Sequence, residues 1–396
     1  MTMQGYLRAD GRKGIRNVVA VAYLVECAHH VAREITYPHR DNAHVIGFPG
    51  CFPNEYAQKM MERLCTHPNV GAVLLVSLGC ESFNRVKLEN VVRDSGRAVE
   101  TLVIQRTGGT RSAIAKGQAF VAKAVETLAQ VKPVPMEVSE LVIGTVCGGS
   151  DGTSGISGNP ATGRAFDRLV AEGAACIFEE TGELIGCEDI MAARAATPDL
   201  AIELRQSIDK AAQYYATLGY GSFAAGNADG GLSTIEEKSM GAYAKSGGSE
   251  ISGLIKPGDI PPKGGLYLMD VVPDGPVRFG FPNITDNAEI VEMMASGAHM
   301  TIFVTGRGSV VGSALAPVIK VAANPEMYAR LHEDMDVNAG RIMDGTATLD
   351  DVGAEIYAQV VAAASGSQTK SESLGHHEFI LTYKSFEPIG PACLPA

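Results

Sequence analysis

The chain has 396 residues, 45% hydrophobic and 20% charged, with a formal net charge of −12. This is a globular composition, long enough for two or three domains, and its acidity without any basic stripe argues against a nucleic-acid partner. No apolar run approaches the ~18 residues of a membrane span, and the start lacks the apolar core of a secretory signal, so the expected setting is cytoplasmic and away from membranes.

In chain order, the locally basic GYLRADGRKGIRN leads into the apolar run NVVAVAYLV from Asn17. HVIGF follows and runs into PGCFPN; the helical pattern from Pro53 to Leu64 has Asn54 as a polar start. VGAVLLVSLG from Val70 ends in GCESFN, and ETLVIQ from Glu100 ends in RTGGTR. A long helix is expected over Gly109 to Val131, with Thr110 as its N-cap. The two prolines of VKPVPMEVSE, Val131 to Glu140, keep the chain extended and place a domain boundary, giving residues 1–135 and 136–396. ELVIGTV from Glu140 runs into VCGGSDGTSGISGNP, with a helix starting near Asn159. Later come a helix over Ala196 to Leu218, a possible sub-boundary at 247–265, LYLMDVV from Leu266, a helix over Asp286 to Ala298, and MTIFVT from Met300 with GRGSVVGS behind it. Helical patterns over Pro325 to Met335 and Leu349 to Ala364 close the series.

The strand-length runs are rich in β-branched residues and do not alternate, so they read as buried on both faces. Alternation with helices gives an α/β fold: parallel, Rossmann-like sheets with flanking helices in two domains, with glycine-rich loops at strand C-terminal ends. Ligands of open α/β sheets collect beyond those ends.

Cys51, Cys80 and Cys147 each follow an apolar run and sit beside glycine. Thiolates so placed can ligate a borderline metal or iron–sulfur iron; the alternative is three buried thiols. The eight cysteines contain no CxxC pair, which removes zinc-ribbon and thioredoxin readings. Arg307, between Gly306 and Gly308, can reach a carboxylate through two donors. In GGLSTIEEKSMG, Ser233 or Thr234 reads as an N-cap with Glu236 and Glu237 in the first turn, and Lys238 as a general base if desolvated. Walker A, G-x-S-x-G and strand-linked G-x-G-x-x-G motifs are absent, which removes support for nucleotide hydrolysis, serine hydrolysis and dinucleotide chemistry.

Together GYLRADGRKGIRNVV, HPNVGAVLLVSLGCE, VCGGSDGTSGISGNPATG, GGLSTIEEKSMGAYAKSG, TGRGSVVGSALAPVIKVAANP and DMDVNAGRIMDG resemble the large catalytic region of the altronate and galactarate dehydratases, in family order and over nearly the whole chain. The resemblance implies a lyase that removes water from a sugar acid by α,β-elimination on a 2-hydroxy carboxylate. It implies a divalent metal, as Fe2+ or an iron–sulfur cluster, with Cys51, Cys80, Cys147 and Glu81 as candidate ligands. Lys238, Glu237, Arg307 and Asp151 are the candidate catalytic groups. Gly148, Gly149, Ser150, Thr153, Asn159, Gly306, Gly308 and Ser309 are the candidate substrate contacts.

Two departures from the family pattern carry expectations. The family's long members begin with a small separate domain, whereas this chain starts at GYLRADGRKG, so a separate small subunit and an oligomer are expected. The histidine usual shortly before the first GC is replaced in IGFPGCFPN, where Phe48 stands. That exchange turns attention to a relative with a smaller substrate, sulfolactate sulfo-lyase, which releases sulfite. A reading from another class is a non-catalytic carboxylate-binding scaffold, because glycine-rich strand-end loops also bind anions without chemistry.

Overall fold

The runs without alternation form parallel strands covered on both faces. The computed structural model describes residues 3–179, 181–218, 223–274, 285–382 and 384. A hairpin of β1 (Met3–Leu7) and β2 (Lys13–Gly14) opens the chain. β3 (Val18–Tyr23), β4 (Ala43–Gly47), β5 (Val70–Ser77) and β6 (Ala98–Val103) then form an all-parallel sheet in the order β4-β3-β5-β6. β7 (Val134–Met136) returns to pair antiparallel with β1. The second parallel sheet holds β8 (Val142–Cys147), β9 (Ala175–Phe178), β10 (Ile251–Ile255), β11 (Gly265–Met269), β12 (Met300–Thr305), β13 (Val318–Ala322) and β14 (Val337–Asn338). Its order is β10-β11-β9-β8-β12-β13-β14.

Three apolar cores set the layers. On one face of the four-stranded sheet, helices His29–Thr36 and Thr110–Ala129 bury Ile35, Ala113 and Val121 against Val19, Val21 and Leu74. Between the sheets lie helices Glu55–Cys65, Arg85–Asp94 and Asp286–Ala295, where Met60, Leu88 and Met293 share one cluster with Val73 and Phe303. The outer face of the seven-stranded sheet is covered by helices Gly158–Ala171, Pro198–Leu218 and Leu349–Ala364 through Phe166, Leu204 and Ile356.

The helix starts follow capping chemistry. Asn54 accepts from the Ala57 amide at 3.0 Å, and Thr234, Thr285 and Thr348 cap their helices in the same way. Thr110 is not a cap: it is the first helical residue after Gly109, whose φ of +90° suits glycine. The proline-containing stretch 131–140 carries β7, an edge strand on which Pro135 needs no donor. Residues 247–265 carry β10 into the second sheet.

The N-terminal arginines tie these layers together. Arg8 Nε donates to the Pro68 carbonyl and Arg97 Nη2 to the His67 carbonyl, both from buried positions. Asn69 accepts from the Ile15 amide and donates to the carbonyls of His299 and Leu315. Arg16 forms a two-pronged pair with Glu372, at 2.6 and 2.8 Å.

Candidate active site

In the seven-stranded sheet the connections reverse direction at β8, whose neighbours are β9 and β12. The crevice beyond the carboxyl ends of β8 and β12 is therefore the expected ligand position. The loops there are VCGGSDGTSGISGNP and GRGS, and they interlock. The Gly148 amide donates to the Val304 carbonyl at 3.0 Å, and the Arg307 amide to the Gly149 carbonyl at 2.9 Å.

Asp151 organises this crossing. Its Oδ1 accepts from the Thr153 amide and hydroxyl and from the Ser154 amide and hydroxyl, at 2.6–3.2 Å; its Oδ2 accepts from Asn324 Nδ2 at 3.2 Å. The carboxylate fits because Gly306 carries no side chain: a Cβ there would lie 2.1 Å from Asp151 Oδ1. Asp151 thus spends its acceptors on the loop, and Thr153 spends its hydroxyl on Asp151. Asn159, one residue into helix Gly158–Ala171, donates to the Gly241 carbonyl at 2.9 Å. Ser309 Oγ accepts from the Val311 amide, and the Gly308 amide donates to Thr305 Oγ1.

Below the loop lies a buried cluster of alternating charge. Cys147, the last residue of β8, is 2% exposed. Its sulfur receives the Lys245 ammonium at 3.3 Å and the Ser150 hydroxyl at 3.4 Å, and lies 3.6 Å from Glu183 Oε2. The other Glu183 oxygen pairs with Lys238 Nζ. Lys245 is fully buried and Lys238 nearly so. These positions follow from local structure: Glu183 sits on the turn Thr181–Glu183 after β9, Lys238 on helix Ile235–Tyr243, and Lys245 on the turn that continues it.

Asp286 closes the cluster from the opposite side as the first residue of helix Asp286–Ala295. Gly148 makes room for it: a Cβ on Gly148 would lie 1.9 Å from Asp286 Oδ2. Burial, then the negative charge of Glu183, pushes the Asp286 carboxyl up to about 6, with Lys238 and Lys245 pulling the other way. One turn along, Glu289 is buried and also raised, again by burial first; Glu179, the residue just after β9, is likewise buried. The site therefore combines two ammonium groups, a carboxylate paired with one of them, a thiol that receives the other and a carboxyl pushed up to about 6.

Of the residues chosen from sequence, Lys238, Cys147 and Ser150 stand in this cluster, and Gly148 and Gly149 form its roof. Arg307 stands at the exposed rim, where Nη1 donates to the Gly226 carbonyl. Glu237 lies outside: it is exposed and accepts from the Ser233 amide and hydroxyl at 2.7 and 2.6 Å, so it serves the helix start. Sequence reasoning missed Glu179, Glu183, Lys245, Asp286 and Glu289. Glu179 follows the short run ACIF, so a strand-end search including four-residue runs would have reached it.

The expected metal ligands are not gathered. Cys51 and Cys80 are exposed on neighbouring loops beyond the four-stranded sheet, joined by the Ser82 amide to the Cys51 carbonyl at 2.9 Å. Glu81 is turned inward, accepting from Ser77 Oγ and from the Gly79 amide. Burial raises its carboxyl, but these donors outweigh it and hold it below the usual range. Cys147 belongs to the lysine cluster instead. Among the described residues no three His, Cys, Asp or Glu side chains are placed to hold a metal ion, so this donor set does not fit the expected metal. Phe48 is fully buried, with its ring 5.8 Å from that of Phe83, and stands in the core between the sheets. No described helix is long and apolar enough to cross a membrane.

Comparison with known proteins matches this architecture. The C-terminal domain model of D-galactarate/altronate dehydratase covers residues 138–386, and the second-domain model of D-galactarate dehydratase/altronate hydrolase covers 5–129. The chain is 31% identical to the (2R)-sulfolactate sulfo-lyase subunit beta of Chromohalobacter salexigens, across 96% of this chain and 97% of that one. It is 29% identical to the altronate dehydratase of Bacillus subtilis, across 94% of this chain and 75% of that one. It is also 29% identical to the galactarate dehydratase (L-threo-forming) of Escherichia coli, across 96% and 76%.

Proposed function

As the chain belongs to the D-galactarate/altronate dehydratase family and is a lyase, we propose that it carries out α,β-elimination on a 2-hydroxy carboxylate, with dehydration of a sugar acid to a 2-keto-3-deoxy acid as the primary reaction. The observation that carries this is the Lys245–Cys147–Glu183–Lys238 cluster facing Asp286 under a glycine roof. Elimination needs a base for the Cα proton, cations for the enediolate that forms, and an acid for the departing oxygen. Glu183, paired with Lys238 and set against the Cys147 thiol, takes the proton. Lys238 and Lys245 stabilise the enediolate, Asp286 gives its proton to the leaving oxygen, and Arg307 receives the substrate carboxylate at the rim. Lys238 is thus a charge stabiliser, because its ammonium is committed to Glu183.

A second reading, sulfite release from (2R)-sulfolactate, draws on the state of the loop. Asp151, Thr153 and Ser154 are engaged with protein atoms, as is the Asn159 side-chain nitrogen, which leaves few hydroxyl partners for a polyol and suits a shorter acid. The relative of that name is a beta subunit, and a separate small subunit in a hetero-oligomer is part of this proposal. The test supplies altronate, galactarate and sulfolactate to the purified chain, alone and with its candidate small subunit, and scores keto acid and sulfite. Loss of turnover by at least ~10²-fold in Glu183→Gln is expected for a general base. Tight binding of these acids without turnover in the reconstituted pair would instead mark a non-catalytic scaffold.

A further inference from the structure

The edges of the two parallel sheets differ in how they are covered. β4 is buried or half-buried along its whole length, and so are β10 and β14 at the edges of the seven-stranded sheet. β6 differs among the described residues: Ala98 and Glu100 are exposed, and only Leu102 is buried. Its six residues pair in unbroken register with β5, from Ala98 opposite Ala72 to Val103 opposite Ser77. On the free side of such a strand every second residue turns its N–H and C=O outward. Among the described residues, no backbone hydrogen bond of Ala98–Leu102 leaves the sheet. Natural sheets guard an open edge with a lysine, a proline, a bulge or brevity. AVETLV has no lysine and no proline, and its pairing shows no register shift. It is an edge that calls for a cover.

The flanks of β6 say what the cover is. Leu102 belongs to the core under helix Thr110–Ala129, so Ala98 and Glu100 share that face. On the other face Val99 packs into the core between the sheets, and Thr101 Oγ1 donates to Glu89 at 2.7 Å. A groove of about 770 Å³ runs between β6 and the helix, with Leu7 and Phe120 as apolar lining, Glu100 on the strand side, and Lys116 and Lys123 on the helix side. Leu7 is 53% exposed. Glu100, Lys116 and Lys123 are all exposed, and none has an ion-pair partner among the described residues. One groove thus holds both signs of charge, so a partner of single sign would be repelled by one half of it. A two-fold axis normal to the sheet removes that conflict. It sets β6 antiparallel to its copy, keeps both helices on one side, and brings the acid of each copy to the lysines of the other.

We propose that β6 is a homodimer interface: it pairs antiparallel with β6 of a second copy of this chain, joining the two four-stranded sheets into one continuous sheet, with Glu100 of each copy facing Lys116 and Lys123 of the other. The ladder supplies the backbone bonds, the groove covers apolar surface, and the crossed charges fix the register.

The test uses the full chain without a small subunit. Light scattering over a range of concentrations should give the mass of two chains. Glu100→Lys should raise the dissociation constant at least about tenfold, because like charges then face each other twice. Lys116→Glu/Lys123→Glu should do the same. An equimolar mixture of these two variants should recover the dimer, since each meets its opposite charge on the other. Amide exchange should be slow at the outward amides of Ala98–Val103 in the wild type and at least about tenfold faster in either variant alone, while Val70–Ser77 stays slow in all as the sign of an intact fold. A wild type that remains monomeric overturns the inference. So does a dimer that persists in Glu100→Lys, or one that the mixture does not restore. Protection of Ala98–Val103 that arises only when the small subunit is added also overturns it, and assigns the edge to that subunit.

Discussion

Gly148 leaves the space that the Asp286 carboxylate occupies, and Gly148→Ala fills it. The added Cβ would lie 1.9 Å from Asp286 Oδ2 and 2.6 Å from Phe303 Cζ. Carbon and oxygen settle at roughly 3.5 Å, so the carboxylate must retreat by about 1.5 Å. It is the tip of a side chain and can swing; the Phe303 ring is packed in the core and yields less. Overpacking of this kind costs on the order of 1–3 kcal/mol of stability. A misplacement of about 1 Å in a reacting group costs on the order of 10²-fold in rate. The expected variant is therefore folded, with a modestly lower urea midpoint and a kcat/KM lowered about a hundredfold. Gly149→Ala is the control: its φ of +59° strains alanine, but the nearest atom, Thr305 Oγ1, is 3.2 Å away and Asp286 is not touched. Wild-type kcat/KM in a folded Gly148→Ala protein would refute the role given to Asp286.

Further expectations follow from other groups. Because the Asp286 carboxyl is pushed up to about 6, kcat/KM should fall as pH rises through that value, and Asp286→Asn should abolish that limb along with most activity. The same group contributes stability at low pH that is lost as pH rises from about 4 to about 6, so the Asp286→Asn protein should show a flatter stability–pH curve across that window. Lys384→Met leaves the Glu292 carboxylate buried without its cation and should cost about 3–5 kcal/mol in urea unfolding, with Lys384→Met/Glu292→Leu regaining most of it. Glu237→Gln should lower helix stability slightly and leave kcat unchanged in the substrate panel, as its contacts are confined to the helix start.

Much of the frame was legible in the chain because two-sided burial leaves a direct trace. β3, β5, β8 and β12 fall on the longest apolar runs, and the two loops at the switch point were already marked by glycine. β9 and β13 were not marked: ACIF is too short to stand out, and Lys320 interrupts VIKVA although it is buried. The site was half legible. Lys238, Lys245 and Cys147 lie in motifs, although Lys245 did not stand out in its own, and Glu183 and Asp286 reach them from two other segments, where ordinary acids carry no spacing signal. Asp151 and Glu237 show the opposite case: the motif is real, and the side chains serve loop and helix geometry. Cys51 and Cys80 share a strand-end position with Cys147 but belong to the other sheet, a distinction that apolar runs do not encode.

The contacts of the N-terminal arm bear on the order in which the chain becomes itself during synthesis. Arg16 pairs with Glu372, Asn54 Nδ2 donates to the Lys384 carbonyl, and Tyr56 reaches a carboxylate whose cation is Lys384. The four-stranded sheet is complete once β6 has emerged, yet its seam with the rest of the molecule is closed by residues near the far end of the polypeptide. Until helix Asp286–Ala295 leaves the ribosome, the apolar face carrying Met60, Met61 and Leu64 lacks the helix that packs on it, and the seam stays open longer still. A nascent chain of this design therefore spends most of its translation time with a finished sheet and an open flank. That interval is where chaperones would be needed most.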